Sequence, residues 1–391
     1  MTTKFTPRIA DRLKDIQPFH VMALLGRARE LEAQGRSIIH MEIGEPDFVT
    51  AEPIISAGVK ALQAGKTHYT PTMGLQALRE AISDYYQRHY QVDVPAHRIV
   101  ITPGASGALQ LTFNLLINPG DAVVLADPGY PCNRHFVRLN EGETIAAQVG
   151  AESRYQLTAS ILESAWESNA VAAMIASPSN PTGTLVSATE LKLMYDFIKT
   201  KHGSLIVDEI YHGLTYDDKA QTALAIADDI FVVNSFSKYF GMTGWRLGWL
   251  IVPEAYTHAV DRLAQNIFLA APTVAQYAAL AAFKPETISL LDQRRDEFAL
   301  RRDYLKAALQ DIGFTIPVTP DGAFYLYANC ENFSSNSYQF ASDLLEKAGV
   351  AVTPGLDFGD HLADKHVRFA YTTNIDNLRE GIRRINDFVA G

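Results

Sequence analysis

Seven short β-branched runs, RIVITP, AVVLADP, ETIAAQV, VAAMIASP, SLIVDE, DIFVVNSFS and RLGWLIVP, alternate with helical patterns through the middle of the chain. Such runs are almost wholly apolar. A strand needs that composition when crossover helices cover both of its faces. The expected fold is therefore α/β, with a mostly parallel seven-stranded sheet between helices.

The flanks read differently. Pro18 to Gln34 has helical apolar spacing, and IIHMEIGEPDF from Ile38 onward is strand-like until Gly44, Pro46 and Asp47 break it. Glu286 to Ile312 predicts a bridging helix. After it come strand AFYLYA, helix YQFASDLLEKAG ending at Gly349, strand VRFAY and a last helix from Asn374 to Phe388. The expected organisation is a segment 1–45 packing with a smaller α+β domain, a large domain 46–285, and a bridging helix with the small domain over 286–391. Ser187 and Glu190 have capping-box spacing.

Charge and cysteine content exclude several functions. With a net charge of -10 and no Lys or Arg run longer than two, the chain has no electrostatic footprint for nucleic acid or an anionic membrane. A small-molecule partner fits better. Cys132 and Cys330 form no CxxC pair, which argues against a disulfide framework or a metal cluster and for a reducing, cytoplasmic setting. The start, MTTKFTPRIADRLKDIQPF, lacks a signal-peptide apolar core. The apolar stretch Ile267 to Phe283 is interrupted by Pro272, Thr273 and Gln276, so it is expected to be a buried helix and not a membrane span.

In an open α/β sheet ligands bind beyond the carboxyl ends of the strands, so polar residues there are the candidates. RIVITP runs into Pro103-Gly104-Ala105-Ser106-Gly107-Ala108 and then a helix, an arrangement of free N–H groups that suits a phosphate. SLIVDE ends in Asp208 and Glu209, and strand-end carboxylates are ordinarily helix caps or solvated pairs. DIFVVNSFS delivers Ser235, Ser237 and Lys238, with Arg246 eight residues on. One lysine there would mean little; the set is what matters.

VDEIY followed by NSFSKYFGMTGWRLGW resembles the cofactor-binding core of the class I, aspartate aminotransferase-like, fold type I enzymes that use pyridoxal 5'-phosphate (PLP). The likeness continues through IGEPDF, THYTPTMG, TPGASGAL, DPGYP, SPSNPTG and VRFAY, in that order. It implies a Lys238 aldimine, the same lysine then moving a proton during a ping-pong exchange of an amino group between an L-amino acid and a 2-oxo acid. Asp208 would pair with the ring nitrogen, and Tyr211 and Asn180 would donate to the ring's phenolic oxygen. The phosphate would lie on the N–H groups of Ala105 and Ser106, the Ser235 hydroxyl and Arg246, with Ser237 a second candidate for the cup. Tyr130 would stack on the ring, Arg368 would take the substrate α-carboxylate beside the N–H of Gly44, and Tyr69 would reach a neighbour's phosphate in a homodimer.

A transaminase is the leading expectation. A PLP-dependent lyase or synthase of the same fold, such as a carbon–sulfur lyase, would use the same lysine, aspartate and arginine. Lyases of that kind usually carry histidine where this chain has Tyr211, which favours transamination. A third option, a regulatory PLP-binding domain, would bring an amino-terminal DNA-binding module and fits poorly with an acidic chain expected to start at the enzyme segment. Some relatives carry lysine where this chain has Ser106, so a strict aspartate specificity is not expected. Phe19, His20 and Met22 are expected to line the side-chain pocket opposite Tyr325, favouring neutral or aromatic substrates.

Overall fold

The computed structural model describes residues 7–217 and 220–391, so the first six residues of the expected 1–45 segment lie outside the description. Twelve strands are present among the described residues. The first, β1 (Ile39–His40), is followed by β2 (Ile99–Thr102), β3 (Ala122–Asp127), β4 (Glu143–Gln148), β5 (Ala170–Ala176), β6 (Ser204–Asp208), β7 (Phe231–Ser235) and β8 (Gly248–Ile251). The last four are β9 (Tyr325–Asn329), β10 (Val350–Ala351), β11 (Thr353–Pro354) and β12 (His366–Ala370).

Strands β2 to β8 form one seven-stranded sheet in the order β2-β8-β7-β6-β5-β3-β4. Only β8 runs against the rest, pairing antiparallel with β2 and β7. Period-two alternation sends neighbouring side chains to opposite faces. Ile99, Val124, Ala173, Val207, Val232 and Trp249 join one apolar cluster, while Val100, Val123, Met174, Ile206, Val233 and Leu250 join another. Both faces are thus dry across the strands inward of the exposed edge strand β4, and those parallel strands reach the cavity with polar residues only at their ends.

The chain's two flanks meet. β1 pairs in parallel with β10, and β12 lies between β11 and β9 in an antiparallel three-stranded sheet. Their side chains continue the first of the two apolar clusters. A helix of 28 residues, Pro285–Ile312, leads from the large sheet to this unit and ends on Gly313 in the left-handed region.

Several local expectations change in detail. The strand-like run after Ile38 yields only the two residues of β1; Met41 stays in the core, and Glu42, Ile43 and Gly44 turn into the cavity described below. The apolar stretch after Ile267 is not one helix: it breaks before Pro272, resumes as Thr273–Ala279 and tightens into a turn to Phe283. No helix among the described residues is long and apolar enough to cross a membrane. Ser187 does cap its helix by accepting from the Glu190 amide, but the Glu190 carboxylate accepts from the Ala159 amide instead of closing the box. The helix expected to run to Gly349 is Ser337–Asp343, after which Leu344–Ala348 widen into a π turn.

The first helix, His20–Ala33, has no side-chain cap of its own. Asp357, from the turn after β11, fills that role, its two carboxylate oxygens accepting from the amides of His20 at 2.7 Å and Val21 at 2.8 Å. It is buried. Losing a capping carboxylate costs about 1–2 kcal/mol. Asp357→Ala is therefore expected to lower the urea unfolding free energy by about that much, with the loss concentrated in helix signal; an unchanged transition would show that the first helix is held by its apolar face alone.

Candidate active site

The carboxyl ends of β2, β3, β5, β6 and β7 open on a cavity of about 300 Å³. Its wall includes Gly44, Ala105, Ser106, Tyr130, Asn180, Asp208, Tyr211, Lys238, Arg246 and Arg368. All ten were singled out in the sequence for cofactor or α-carboxylate. Ser235 and Tyr69, singled out with them, do not line the cavity.

Asp208 and Glu209 show how the sheet edge sorts adjacent carboxylates. Asp208 faces the cavity, where its Oδ1 accepts from the Ile210 amide at 2.9 Å. Glu209 turns into the core onto the Ala223 amide and the Thr222 hydroxyl, at 2.7 and 2.9 Å. Burial pushes the Asp208 carboxyl up to about 7, against the pull of the Ile210 amide and of Lys238. Burial also raises Glu209 to about 8 and lowers the adjacent His212 to about 3. Neither is a solvated surface pair.

Lys238 extends from the turn after β7, and its Nζ donates to the Gly44 carbonyl at 2.5 Å. Desolvation, reinforced by the Arg368 charge, lowers its pKa to about 8. An amine that is partly neutral near physiological pH can act as nucleophile or base.

At one end of the cavity the helix Gly104–Leu116 begins without a side-chain cap, leaving its first amides free. Gly104 sits at φ +70°, and a Cβ on it would lie 2.5 Å from Arg246 Nη2. One on Gly248 would lie 2.7 Å from the Gly104 carbonyl carbon and 2.9 Å from the Ala105 nitrogen. The glycines thus let a guanidinium and a bare helix start sit side by side, which is an anion cradle. The two serines exchange places relative to expectation. Ser237 lines the cavity, whereas Ser235 lies behind it with its hydroxyl on Leu247 O and Ser237 Oγ.

At the other end Arg368 is buried between the rings of Tyr325 and Phe358, 4.2 and 4.9 Å from its guanidinium carbon. It donates from Nη1 to Asn180 Oδ1 at 2.9 Å and from Nη2 to the Glu42 carbonyl and Thr353 Oγ1. Its Nε has no partner among the described residues. Because a guanidinium can only donate, it fixes the Asn180 carbonyl toward itself and leaves the amide NH₂ free to donate elsewhere. Tyr211 and Tyr325 share a 2.8 Å hydroxyl contact, and a Cβ on Gly44 would fall 2.0 Å from the Tyr325 hydroxyl, so no larger residue fits.

Phe19 and Met22 line the cavity as expected, but Val21 stands there instead of His20, whose ring packs edge-on against Tyr338. Helical geometry points His20 away. Thr243, Thr353, Phe358 and Asp357 were not singled out: Thr243 lies within the motif around Lys238, whereas nothing local in the sequence marks the other three, whose place depends on how the carboxy-terminal strands cross the large sheet. Tyr69 projects from the surface, 81% exposed, in the loop before helix Gln76–Tyr90.

A phosphorylated pyridine aldehyde fits these residues: an anion cradle at one end, a buried carboxyl at Asp208, a partly neutral lysine between them, and an unspent donor on Arg368 for a carboxylate. The family model described as aminotransferase class I and II matches residues 36–385. A (5-formylfuran-3-yl)methyl phosphate transaminase of Methanocaldococcus jannaschii is 36% identical over 97% of this chain and 99% of its own. A valine–pyruvate aminotransferase of Mycobacterium tuberculosis is 36% identical over 98% and 99%. The crystal structure of an aminotransferase from Mycobacterium tuberculosis superposes with a TM-score of 0.95 at 36% identity, over 98% of this chain and 100% of that one.

The depressed lysine gives a direct test. Below its pKa the reactive fraction of an amine rises about tenfold per pH unit, and above it the fraction is flat. Uptake of PLP by cofactor-free protein, followed by absorbance, should climb steeply up to about pH 8 and level off there. A rate still climbing near pH 10, as for an ordinary lysine, would contradict the burial argument.

Proposed function

The chain belongs to the class I and II aminotransferases and is a PLP-dependent transaminase, and from that premise we propose which of its residues carry the reaction. The bound cofactor supplies a ring that draws electrons from the substrate's α carbon. Lys238 Nζ would hold the cofactor covalently and, once displaced by substrate, would carry a proton between the substrate's α carbon and the cofactor, a task suited to a pKa of about 8. Asp208 shares the proton of the ring nitrogen; its placement at the end of a dry strand supports this. Asn180, held by Arg368, and Tyr211 donate to the phenolic oxygen.

Ala105 and Ser106 amides, Ser237 and Arg246 hold the phosphate, with Ser235 supporting Ser237 from behind. Tyr130 covers the ring. Arg368 and the Gly44 amide take the α-carboxylate. The observation that carries this reading is the pairing of a buried, pKa-lowered lysine with a buried carboxyl between an anion cradle and a caged guanidinium. The lyase or synthase alternative is not favoured by the relatives, whose names agree on amino transfer and differ in substrate. Wild type should pass its amino group to a 2-oxo acid mole for mole, without ammonia release, whereas Asp208→Asn should still bind PLP but turn over about 100-fold more slowly or worse. A near wild-type rate in that variant would remove Asp208 from the chemistry.

The working unit is proposed to be a homodimer in the cytoplasm, with Tyr69 donating to the phosphate of the neighbouring site. Its exposure, and its absence from its own chain's cavity, support that role. Tyr69→Ala and Lys238→Ala should each be poorly active alone. Refolded together, they form hybrids in which one site carries both lesions and the other none, so up to about half the native activity per hybrid should return. A hybrid no more active than its parents would place Tyr69 in its own subunit's function.

A further inference from the structure

Resting on the transaminase reading, we infer that this enzyme selects apolar, uncharged side chains in both half-reactions and rejects dicarboxylic substrates. A distal carboxylate buried in such a cavity loses its water and needs a counter-cation. The cavity holds three cations, Lys238, Arg246 and Arg368, and each is engaged: on the Gly44 carbonyl, on the Thr243 carbonyl beside the anion cradle, and in the cage of Asn180, Glu42 and Thr353.

The cations just outside are engaged as well. Arg134 donates to the Asp357 carbonyl. His40 is raised to about 9 by Glu42, the carboxylate it contacts at 2.7 Å, and that pair neutralises itself. His135, whose ring lies 6.3 Å from that of Phe19, is held below its ordinary pKa by burial and by Arg134, so it stays neutral.

What remains for a side chain to touch is Phe19, Val21 and Met22 from the first turn of the first helix, with Ile43 and Phe358 also in the wall. Asp357 spends both carboxylate oxygens fixing that turn, so the apolar face is held in position.

The loop that would reach a neighbouring site carries no lysine or arginine of its own. The loop bearing Tyr69 is tied to the segment after Pro272, where Thr273 donates to the His68 carbonyl at 2.8 Å and Gln276 to Thr70 Oγ1 at 2.9 Å. Neither 67–75 nor 267–276 contains lysine or arginine. Their exposed side chains include Tyr69, Ile267 and Leu269. The surface that travels with Tyr69 thus carries no lysine or arginine of its own, with the exposed His68 on it and Lys66 at its border.

The test uses the holoenzyme and one donor at a time, reading the loss of pyridoxal absorbance as each amino acid gives up its amino group, so no acceptor enters. Leucine, methionine, valine and phenylalanine are compared with aspartate and glutamate. The best apolar donor should exceed both acidic ones by at least about 50-fold in second-order rate constant, and pyruvate should exceed 2-oxoglutarate similarly in the reverse half-reaction. Aspartate or glutamate equal to the best apolar donor would overturn the inference and leave the transaminase reading intact; no response to any donor would overturn that reading itself. Met22→Arg adds a cation to a wall position that is 54% exposed and so tolerates the change. It should raise the aspartate-to-leucine ratio by about tenfold or more. An unmoved ratio would mean that the first turn does not face the substrate's side chain.

Discussion

A guanidinium taken out of water must be surrounded by acceptors, and Arg368 draws its acceptors from three separate stretches of chain. Asn180 follows β5, Glu42 follows β1 and Thr353 begins β11. The arginine can be buried only if the amino-terminal crossing, the large sheet and the carboxy-terminal strands are all in place. Its unspent Nε and its aromatic neighbours show a group held ready, with desolvation already met by the fold. The same logic governs Lys238 and Asp208, whose pKa values move toward neutrality because the sheet is dry on both faces up to its last residue.

The sheet was legible because its seven strands are short and apolar, and their ends could be read off the first polar residue. The helix Pro285–Ile312 was legible from its length. Strand ends narrowed the candidates, since Asp208 ends β6 and Lys238 follows β7 by three residues, but the roles expected of them came from the resemblance to class I aminotransferases. Ser235 and Ser237 were harder to order, because alternation past a strand end depends on a turn that the sequence does not specify. Ser235 stays in the buried register and Ser237 swings out.

Residues whose position depends on long-range crossing were not legible. Thr353 and Phe358 look like ordinary strand and turn residues, and only the antiparallel pairing of β11 with β12 sets Thr353 opposite Arg368. His20 was misplaced by one residue because a helix start fixes which face of the first turn points inward. That start is set by Asp357, which lies 337 residues away.

The clasp between Asp357 and the first helix separates two kinds of information. The groups proposed to act on the α carbon, the α-carboxylate and the phosphate are Gly44, Tyr69, Arg368 and residues between 104 and 246, whereas three of the apolar groups proposed to face the side chain come from four consecutive residues near the amino terminus. Such an arrangement lets natural variation retune what the enzyme accepts by changing one exposed helical turn while the reaction centre stays constant, which is how one scaffold can serve relatives with very different substrates.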